Sequence, residues 1–583
     1  MGSMCLINVD AFLRRERLFH LGRRVERRTK VLEFRDDEAT EYAILSHRWI
    51  DLTEVDYEEM VDLAKMDRQE QSEIRRRLGY KKIIDTCKQA KRDGYEWVWI
   101  DTCCIDKRSS AELSEAINSM YRWYANAEVC YAYLHDVDGS SFPIHRDKKK
   151  YHKSNGRPEW FSRGWTLQEM IAPRNLQFFN EHWRPIDDKK SLAGILNTIT
   201  GVPEHILADG LEENRPCVAQ IISWAATRTT TRVEDRAYSL MGLLDVNMPM
   251  LYGEGKKAFH RLQLEIIRSS NDQSIFAWGY GSDVRIGSVL ADDPSAFKGC
   301  FHVKLLSHDE LIERFSDLSS TDTDRLDDEF PITNRGIKIW MSLRRYRNSN
   351  SIFRAYLPCL GGNGEVVSID LVLWNSNYYR YPSSPDAALE DSPAEFHQVY
   401  LRYQDTPNHT VTFDIDDSGI IENGFTCIRV KPENLTGNTH TLTNTSPFCV
   451  KAYSEERGNG LFKVDFGQCF SLDWVHLDVA RNPMFWMTED ASKVQVPGRA
   501  LSMADAPSQG DSSGRRLWVC HLWLPGSTWI VRIYRVAWER SKIRLRMEVF
   551  RSPHFRCSLY KWNAYDVEVS DFLVHVDYYH DHS

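Results

Sequence analysis

The stretch Tyr42-Ala-Ile-Leu-Ser-His47 decides the fold, because it is a short apolar run that ends in polar residues. A continuous apolar run of this length predicts a strand that is buried on both faces. Three further runs of the same kind follow at Trp97–Cys103, Val129–Leu134 and Leu176–Phe179. We therefore predict four buried strands before residue 180.

Helical patterns separate these runs. Apolar residues between Ile74 and Ala90 recur at helical intervals until Gly94, which is a typical helix terminator. Ser109 and Glu112 have the spacing of a capping box and open a second helix. Strands that alternate with helices predict a parallel sheet covered on both faces, in which ligands bind at the carboxyl ends of the strands.

Polar and aromatic side chains gather at these predicted strand ends. The candidate ligand-binding residues are Ser46, His47, Arg48, Trp49, Asp101 and Cys103. Because carboxyl ends of parallel strands meet at one edge, we expect these residues to form a nucleotide-sized site. Of the adjacent cysteines, we expect one to point into the core and the other outward, since side chains alternate along a strand.

The segment Arg163-Gly-Trp-Thr-Leu-Gln-Glu169 is a short predicted helix that places Trp165 and Glu169 four residues apart on one face. A carboxylate beside a large aromatic ring can stabilise a sugar-like cation, because the ring excludes water and the carboxylate supplies negative charge. The alternative is a core tryptophan with a solvated glutamate.

These segments together resemble the fungal heterokaryon-incompatibility (HET) domain. The matching stretches are YAILSHRW at 42–49, GYKKIIDTCKQAKRDGYEWVWIDTCCID at 79–106, SSAELSEAINSMYRWYANAEVCYAYL at 109–134 and RGWTLQE at 163–169. The stretch from Glu234 to Ile267 and DQSIFAW, which ends at Trp278, resemble what commonly follows that domain.

HET domains in turn resemble TIR domains, which implies a flavodoxin-like sheet. Several TIR domains cleave NAD⁺ between nicotinamide and ribose with a glutamate in a similar helix. The resemblance implies that Glu169 is the catalytic residue and that Trp165 is its neighbour. Arg48 and Arg163 are candidates to bind the pyrophosphate of NAD⁺ through charge-assisted hydrogen bonds. We expect NAD⁺ as a substrate, without a metal or a further cofactor.

The pattern changes twice along the chain. We predict an α/β flavodoxin/TIR-like HET domain over residues 1–200 and a helical extension packed on it over 201–280. From 281 to 583, alternating runs such as Trp529–Tyr534 predict a mostly antiparallel, β-sandwich-like domain. This β-rich part contains no catalytic motif, so we interpret it as a regulatory or recognition domain.

Composition narrows the functional class. The net charge of −9 argues against nucleic acid as a partner. No apolar run reaches the length of a membrane-spanning helix, and the 13 cysteines contain no C-x-x-C pair. We interpret Met1-Gly-Ser as an expression remnant before Met4 and expect a cytoplasmic chain with reduced thiols.

Two classes of function remain open. The first is an NAD⁺ glycohydrolase that drains cellular NAD⁺ and so drives regulated cell death. The alternative is a non-catalytic death-signalling module that assembles through its HET domain. The TIR resemblance implies a homo-oligomer in either case, and an activating protein partner is possible in both.

Overall fold

The computed structural model describes the chain in segments. They are residues 3–22, 30–50, 53–63, 65–66, 68–211, 215–280, 287–307, 310, 313–314, 329–346, 352–374, 376–381, 389–404, 411–431, 437–442, 448–456, 461–469, 472–479, 501–502, 509–510, 516–517, 519–524, 529–539 and 542–551. These residues divide into two units. The first comprises Met1–Ser282, Leu290–Pro331 and Leu357–Ser368, and the second comprises Asp283–Val289, Ile332–Tyr356 and Ile369–Ser583.

The first unit is built around one mixed sheet. Its strands are β1 (Ser3–Asn8), β2 (Leu32–Asp36), β3 (Ala43–His47), β4 (Trp97–Trp99), β5 (Val129–Tyr133), β6 (Leu176–Phe179) and β7 (Pro185–Asp188). They lie in the order β2-β1-β4-β3-β5-β6-β7. The central strands β4, β3, β5 and β6 are mutually parallel, whereas β1, β2 and β7 are antiparallel to their neighbours.

Eleven α-helices accompany this sheet within the described residues. They are α1 (Val9–His20), α2 (Tyr57–Asp62), α3 (Arg68–Arg76), α4 (Leu78–Asp93), α5 (Ser110–Asn126), α6 (Thr166–Ile171), α7 (Ala193–Thr200), α8 (Glu204–Asp209), α9 (Val218–Ser223), α10 (Asp235–Tyr238) and α11 (Lys257–Ser269). Short 3-10 turns lie at His152–Ser154, Glu159–Ser162, Gln273–Phe276 and Pro294–Phe297.

The central strands are buried as their apolar runs predict. All five residues of β3 are buried, and so are all three of β4. Helix α4 buries Ile83, Cys87 and Ala90 and ends at Gly94, whose φ of 91° is the left-handed conformation expected of a glycine cap. At α5, Ser109 accepts a hydrogen bond from the backbone of Glu112, as the capping spacing predicts.

Two expectations about the sheet need correction. The second predicted strand stops at Trp99, because the backbone N–H groups of Cys103 and Cys104 turn back to the carbonyl of Ile100. Strand alternation therefore does not apply to these cysteines, and both are buried. The sheet is also not purely parallel, since β1, β2 and β7 extend its edges in the antiparallel sense.

Residues beyond 280 contribute to the core of the first unit. The amide of Gln263 on α11 donates to the carbonyl of Ala291 at 2.8 Å, and Arg236 forms an ion pair with Asp293 at 2.7 Å. Leu290 and Phe297 are fully buried. The domain limits at 200 and 280, and the flavodoxin/TIR-like classification, stay predictions.

The remaining strands lie mostly in the second unit; β8 belongs to the first unit, and β10 and β11 each have residues in both. They are β8 (Lys304–Leu305), β9 (Ile337–Arg345), β10 (Ile352–Leu360), β11 (Val366–Trp374), β12 (Asn377–Tyr381), β13 (Glu395–Leu401), β14 (Val411–Asp416), β15 (Phe425–Lys431), β16 (Thr439–Leu442), β17 (Phe448–Glu455), β18 (Leu461–Cys469), β19 (Leu472–Val479), β20 (Leu501–Ser502), β21 (Gln509–Gly510), β22 (Arg516–Leu517), β23 (Val519–Trp523), β24 (Trp529–Glu539) and β25 (Lys542–Arg551). A short helix, α12 (Ser418–Ile421), interrupts them.

Two five-stranded sheets of the second unit share one apolar core. Their orders are β16-β14-β25-β24-β23 and β15-β17-β18-β19-β20. Phe413 and Val531 from the first sheet cluster with Tyr453 and Phe462 from the second. Most strand pairs are antiparallel, and β14 with β25 is a parallel exception. The sandwich-like classification stays a prediction.

No helix in the described part of the chain is long and apolar enough to cross a membrane.

We expect Phe297→Ala to destabilise the first unit by about 3–5 kcal/mol, because it leaves a cavity at a fully buried site beyond residue 280. Phe301→Ala is the matched control, since the Phe301 side chain is exposed, and it should change the free energy of unfolding by less than about 0.5 kcal/mol. Calorimetric unfolding of the full chain measures both. Equal effects of the two substitutions would show that Phe297 is not part of the core.

Candidate functional site

Glu169 lies on α6, a helix whose six residues are all buried. The hydroxyl of Thr166 opens the helix by donating to the carbonyl of Trp160 at 2.6 Å. The guanidinium of Arg228 donates to the same hydroxyl at 3.0 Å and to the carbonyl of Arg163 at 2.8 Å. These contacts fix the start of α6, and so the position of Glu169 one turn later.

The carboxyl group of Glu169 meets the end of β3. Ser46 donates a hydrogen bond to Glu169 Oε2 at 2.6 Å, and the indole of Trp160 donates to Ser46 Oγ at 2.8 Å. Trp160 is fully buried, and Glu169 itself is only 5% exposed. The serine hydroxyl therefore connects a buried indole to a buried carboxyl group.

Burial raises the pKa of Glu169 to about 8, and the negative charge of Asp101 adds to the rise. The hydrogen bond from Ser46 and the positive charges of Arg163 and Arg228 lower the pKa in part. At neutral pH the carboxyl group is therefore mostly protonated in this closed arrangement.

Asp101 organises a second cluster beside the first. It lies 2.9 Å from Nε2 of His47 and accepts a hydrogen bond from the indole of Trp49 at 2.7 Å. Burial raises the pKa of Asp101, but the charge and hydrogen bond of His47 outweigh it and lower the pKa to about 2. Lys82 Nζ lies 2.7 Å from His47 Nδ1 and pairs with Glu54. Asp101 thus orients both His47 and Trp49.

Trp165 does not turn toward the Ser46 hydroxyl. Burial raises the pKa of Asp235, and hydrogen bonds from Tyr252 and Trp165 offset part of that rise. The indole of Trp165 is therefore directed to Asp235, and the tryptophan that reaches Ser46 is Trp160.

A polar cleft of about 180 Å³ opens beside α6. Its lining side chains are Arg48, Lys153, Glu159, Ser162, Arg163, Thr229, Thr230 and Thr231. Arg48 Nη1 lies 2.6 Å from Glu159 Oε2. The cleft is smaller than the usual ligand pocket of about 300–1,000 Å³, so it can hold one group of a larger ligand.

The two sides of the cleft are joined through backbone atoms. Thr229 donates to the carbonyl of Ser162 at 2.7 Å, and Gly164 donates to the carbonyl of Thr229 at 2.9 Å. A Cβ at Gly164 would lie 2.5 Å from the methyl carbon of Thr230. Glycine is therefore required at 164 for the Thr229–Thr231 segment to approach α6 this closely.

The predicted site residues fall into three groups. Arg48 and Arg163 line the cleft, and Ser46 and Glu169 form the buried pair. His47, Trp49 and Asp101 form the cluster beside that pair. The Nζ atom of Lys107 lies 4.0 Å from the centre of the Trp49 ring. Cys103 is fully buried, and neither it nor Trp165 is brought to the cleft.

The sequence pattern does not predict several residues that the structure places in the site. They are Lys82, Lys153, Glu159, Trp160, Arg228 and the run Thr229–Thr231. Three consecutive threonines were the one local signal, because adjacent hydroxyls suit a polar site. The other positions are brought together only by tertiary contacts.

Comparison with known proteins matches some of the segments that contribute to this site, including the one that carries Ser46, His47 and Asp101. The family model "Heterokaryon incompatibility protein (HET)" matches residues 42–157, and "Domain of unknown function (DUF8212)" matches residues 257–285. The chain therefore carries a heterokaryon incompatibility (HET) domain, as the sequence motifs predict.

A curated relative is the vegetative incompatibility protein HET-E-1 of Podospora anserina, which is 44% identical over 227 residues. The match covers 39% of this chain but only 16% of the relative, so the chain spans about a sixth of that protein's length. Among solved structures, the Xerocomus chrysenteron lectin XCL, wild type and mutant, aligns with 25% of this chain at 11% identity, with TM-scores of 0.18 and 0.16. Likeness at this level supports no statement about fold or function.

We expect the thermal stability of Glu169→Gln relative to the wild type to depend on pH. The pKa of Glu169 rises from 4.5 to about 8 on folding, so its protonated form stabilises the native state at low pH. That contribution is lost as the pH rises through 8, and glutamine has no proton to lose. The Tm of Glu169→Gln should therefore rise by several degrees relative to that of the wild type between pH 5 and 8.

The control is Glu38→Gln, which changes an exposed carboxyl group. Its difference in Tm from the wild type should be constant between pH 5 and 9. A constant difference for Glu169→Gln as well would show that Glu169 ionises at its ordinary pKa.

Proposed function

We propose that the chain is an NAD⁺ glycohydrolase that acts in heterokaryon incompatibility by depleting NAD⁺ and so causing cell death. The observation that supports it most is the buried carboxyl group of Glu169, held by Ser46 and Trp160 beside a cationic cleft. The incompatibility role rests on the HET domain and on the name of the Podospora relative. We place the reaction in the cytoplasm.

The reaction breaks the bond between nicotinamide and ribose. Nicotinamide leaves with the bonding electron pair as a neutral molecule, so its departure needs no general acid. The ribose is left with positive charge, which the carboxylate of Glu169 would stabilise. Water then adds to the ribose carbon and loses a proton, which gives ADP-ribose, nicotinamide and H⁺ from NAD⁺ and water.

The high pKa of Glu169 fits this proposal once the charge of the substrate is included. The nicotinamide ring of NAD⁺ is cationic, and a nearby positive charge favours the ionised form of a carboxyl group. Binding of NAD⁺ would therefore lower the pKa of Glu169 from about 8 and generate the carboxylate where it is needed. Arg48 and Arg163 on the cleft are the candidates for binding the pyrophosphate.

A second function is favoured by the burial of Glu169. A carboxyl group that is 5% exposed and absent from the cleft lining is also what a structural residue would show. The second candidate is therefore a non-catalytic death-signalling module that assembles with copies or with an activating partner. Fold alone does not decide between the two functions.

We expect Glu169→Gln to reduce NAD⁺ turnover by at least about 10²–10³-fold, because it removes the charge that stabilises the ribosyl cation. Turnover and circular dichroism are measured on the same samples. Glu38→Gln, the exposed control, should retain full activity. Full turnover by a folded Glu169→Gln chain would refute the role of Glu169, and no turnover by the wild type would favour the signalling module.

We also expect turnover per molecule to rise with protein concentration. The cleft of about 180 Å³ is smaller than a dinucleotide requires, and a second copy could supply the missing walls. A dilution series with parallel measurement of molecular mass tests this. Constant turnover per molecule by a monomer at every concentration would contradict self-association.

A further inference from the structure

The charge of the cleft is unbalanced. Arg48, Lys153 and Arg163 contribute three cationic side chains, and Glu159 is the one carboxylate among the lining residues. Within the described part of the chain, neither Lys153 nor Arg163 forms an ion pair. Uncompensated cations that converge on one small space attract an anion with more than one charge.

We infer that this cleft binds a diphosphate group and that Glu159 competes with the diphosphate for Arg48. This inference deepens the proposed function, because the diphosphate would be the pyrophosphate of NAD⁺. It adds Lys153, Glu159 and the Thr229–Thr231 segment to the site. Glu159 and the Thr229–Thr231 segment lie outside residues 42–157, the part of the chain that matches the HET family model.

In the Arg48–Glu159 ion pair, the carboxylate of Glu159 takes the place on Arg48 that an oxygen of a bound anion would take. Their atoms are 2.6 Å apart, yet Glu159 Oε2 has no partner in hydrogen-bond geometry among the described residues. Arg48 is also partly exposed, with 29% of its side chain accessible. A diphosphate offers a guanidinium several oxygens in a bidentate arrangement, so it can replace a carboxylate that is held in poor geometry.

The cleft is large enough for one chemical group of a ligand but too small for a whole dinucleotide. A volume of about 180 Å³ is below the roughly 300–1,000 Å³ of a pocket that encloses a whole ligand. The hydroxyls of Ser162, Thr229 and Thr230 already donate to backbone carbonyls, which holds the cleft wall in place. Thr231 is exposed at the rim. The cations therefore carry the recognition, and hydroxyl groups shape the wall.

The experiment measures the affinity of the full chain for pyrophosphate, ADP-ribose and adenosine by calorimetry. Pyrophosphate and ADP-ribose should both bind, and adenosine should bind at least about tenfold more weakly, because it lacks the diphosphate. Lys153→Gln and Arg163→Gln should each weaken pyrophosphate binding by roughly tenfold. Glu159→Gln should strengthen it severalfold, because it removes the competing charge.

Lys190→Gln is the matched control, since it removes an exposed cation from the same unit, and it should change the affinity less than about twofold. Thermal unfolding of every variant establishes that the fold is retained. If the chain binds pyrophosphate but does not bind ADP-ribose, the site is supported and its ligand is free diphosphate. Equal effects of Lys153→Gln and Lys190→Gln, or weaker binding by Glu159→Gln, would overturn the inference.

The outcomes for the site and for the proposed function are separable, because pyrophosphate has no glycosidic bond to cleave. Pyrophosphate binding that depends on Lys153 and Arg163, without NAD⁺ turnover, overturns the glycohydrolase and supports the site. If the chain turns over NAD⁺ but neither substitution changes its affinity for pyrophosphate, the diphosphate site is overturned and the proposed glycohydrolase activity is supported.

Discussion

One hydroxyl group, that of Ser46, holds the carboxyl group of Glu169 in the interior of the protein. The arrangement around it follows from this contact. Trp160 must lie close enough to donate to the same hydroxyl, and α6 must begin where Thr166 can reach the Trp160 carbonyl. A single hydrogen bond does not offset the desolvation of a carboxylate, so the acid keeps its proton at neutral pH.

Asp101, the neighbouring acid, is ionised at neutral pH, because its hydrogen bonds and nearby positive charge outweigh the cost of burial. Asp101 is less buried than Glu169, and His47 and Trp49 both direct ring N–H groups or charge toward it, so that its pKa falls to about 2. Two neighbouring carboxyl groups therefore differ in charge at neutral pH because their hydrogen bonds and nearby charges differ. The ionised member also keeps the protonated one neutral, because its negative charge opposes a second.

The sequence predicted the central elements because local patterns determine them. The apolar runs at 43–47, 129–133 and 176–179 form strands, and Gly94 and Ser109 end and open helices as their chemistry requires. The strands β2 and β7 were missed, since they are partly exposed and lack the continuous apolar signal. The buried strand β1 was also missed, because its apolar run is only four residues long and follows residues interpreted from the sequence as an expression remnant. Glu169 could be identified from its motif, whereas Lys153, Arg228 and Thr229–Thr231 could not, because only folding brings them to α6.

The backbone link between Ser162–Gly164 and Thr229 means that the segment matched by the family model is shorter than the segment that builds the cleft. The family match ends at residue 157, before either side of that link. A boundary drawn at the end of the family model therefore keeps Arg48 and Lys153 but leaves out the rest of the cleft lining, from Glu159 to Thr231, and the helix that bears the buried acid. A transfer of residues 42–157 alone into another protein would therefore separate Arg48 and Lys153 from the residues that complete the cleft.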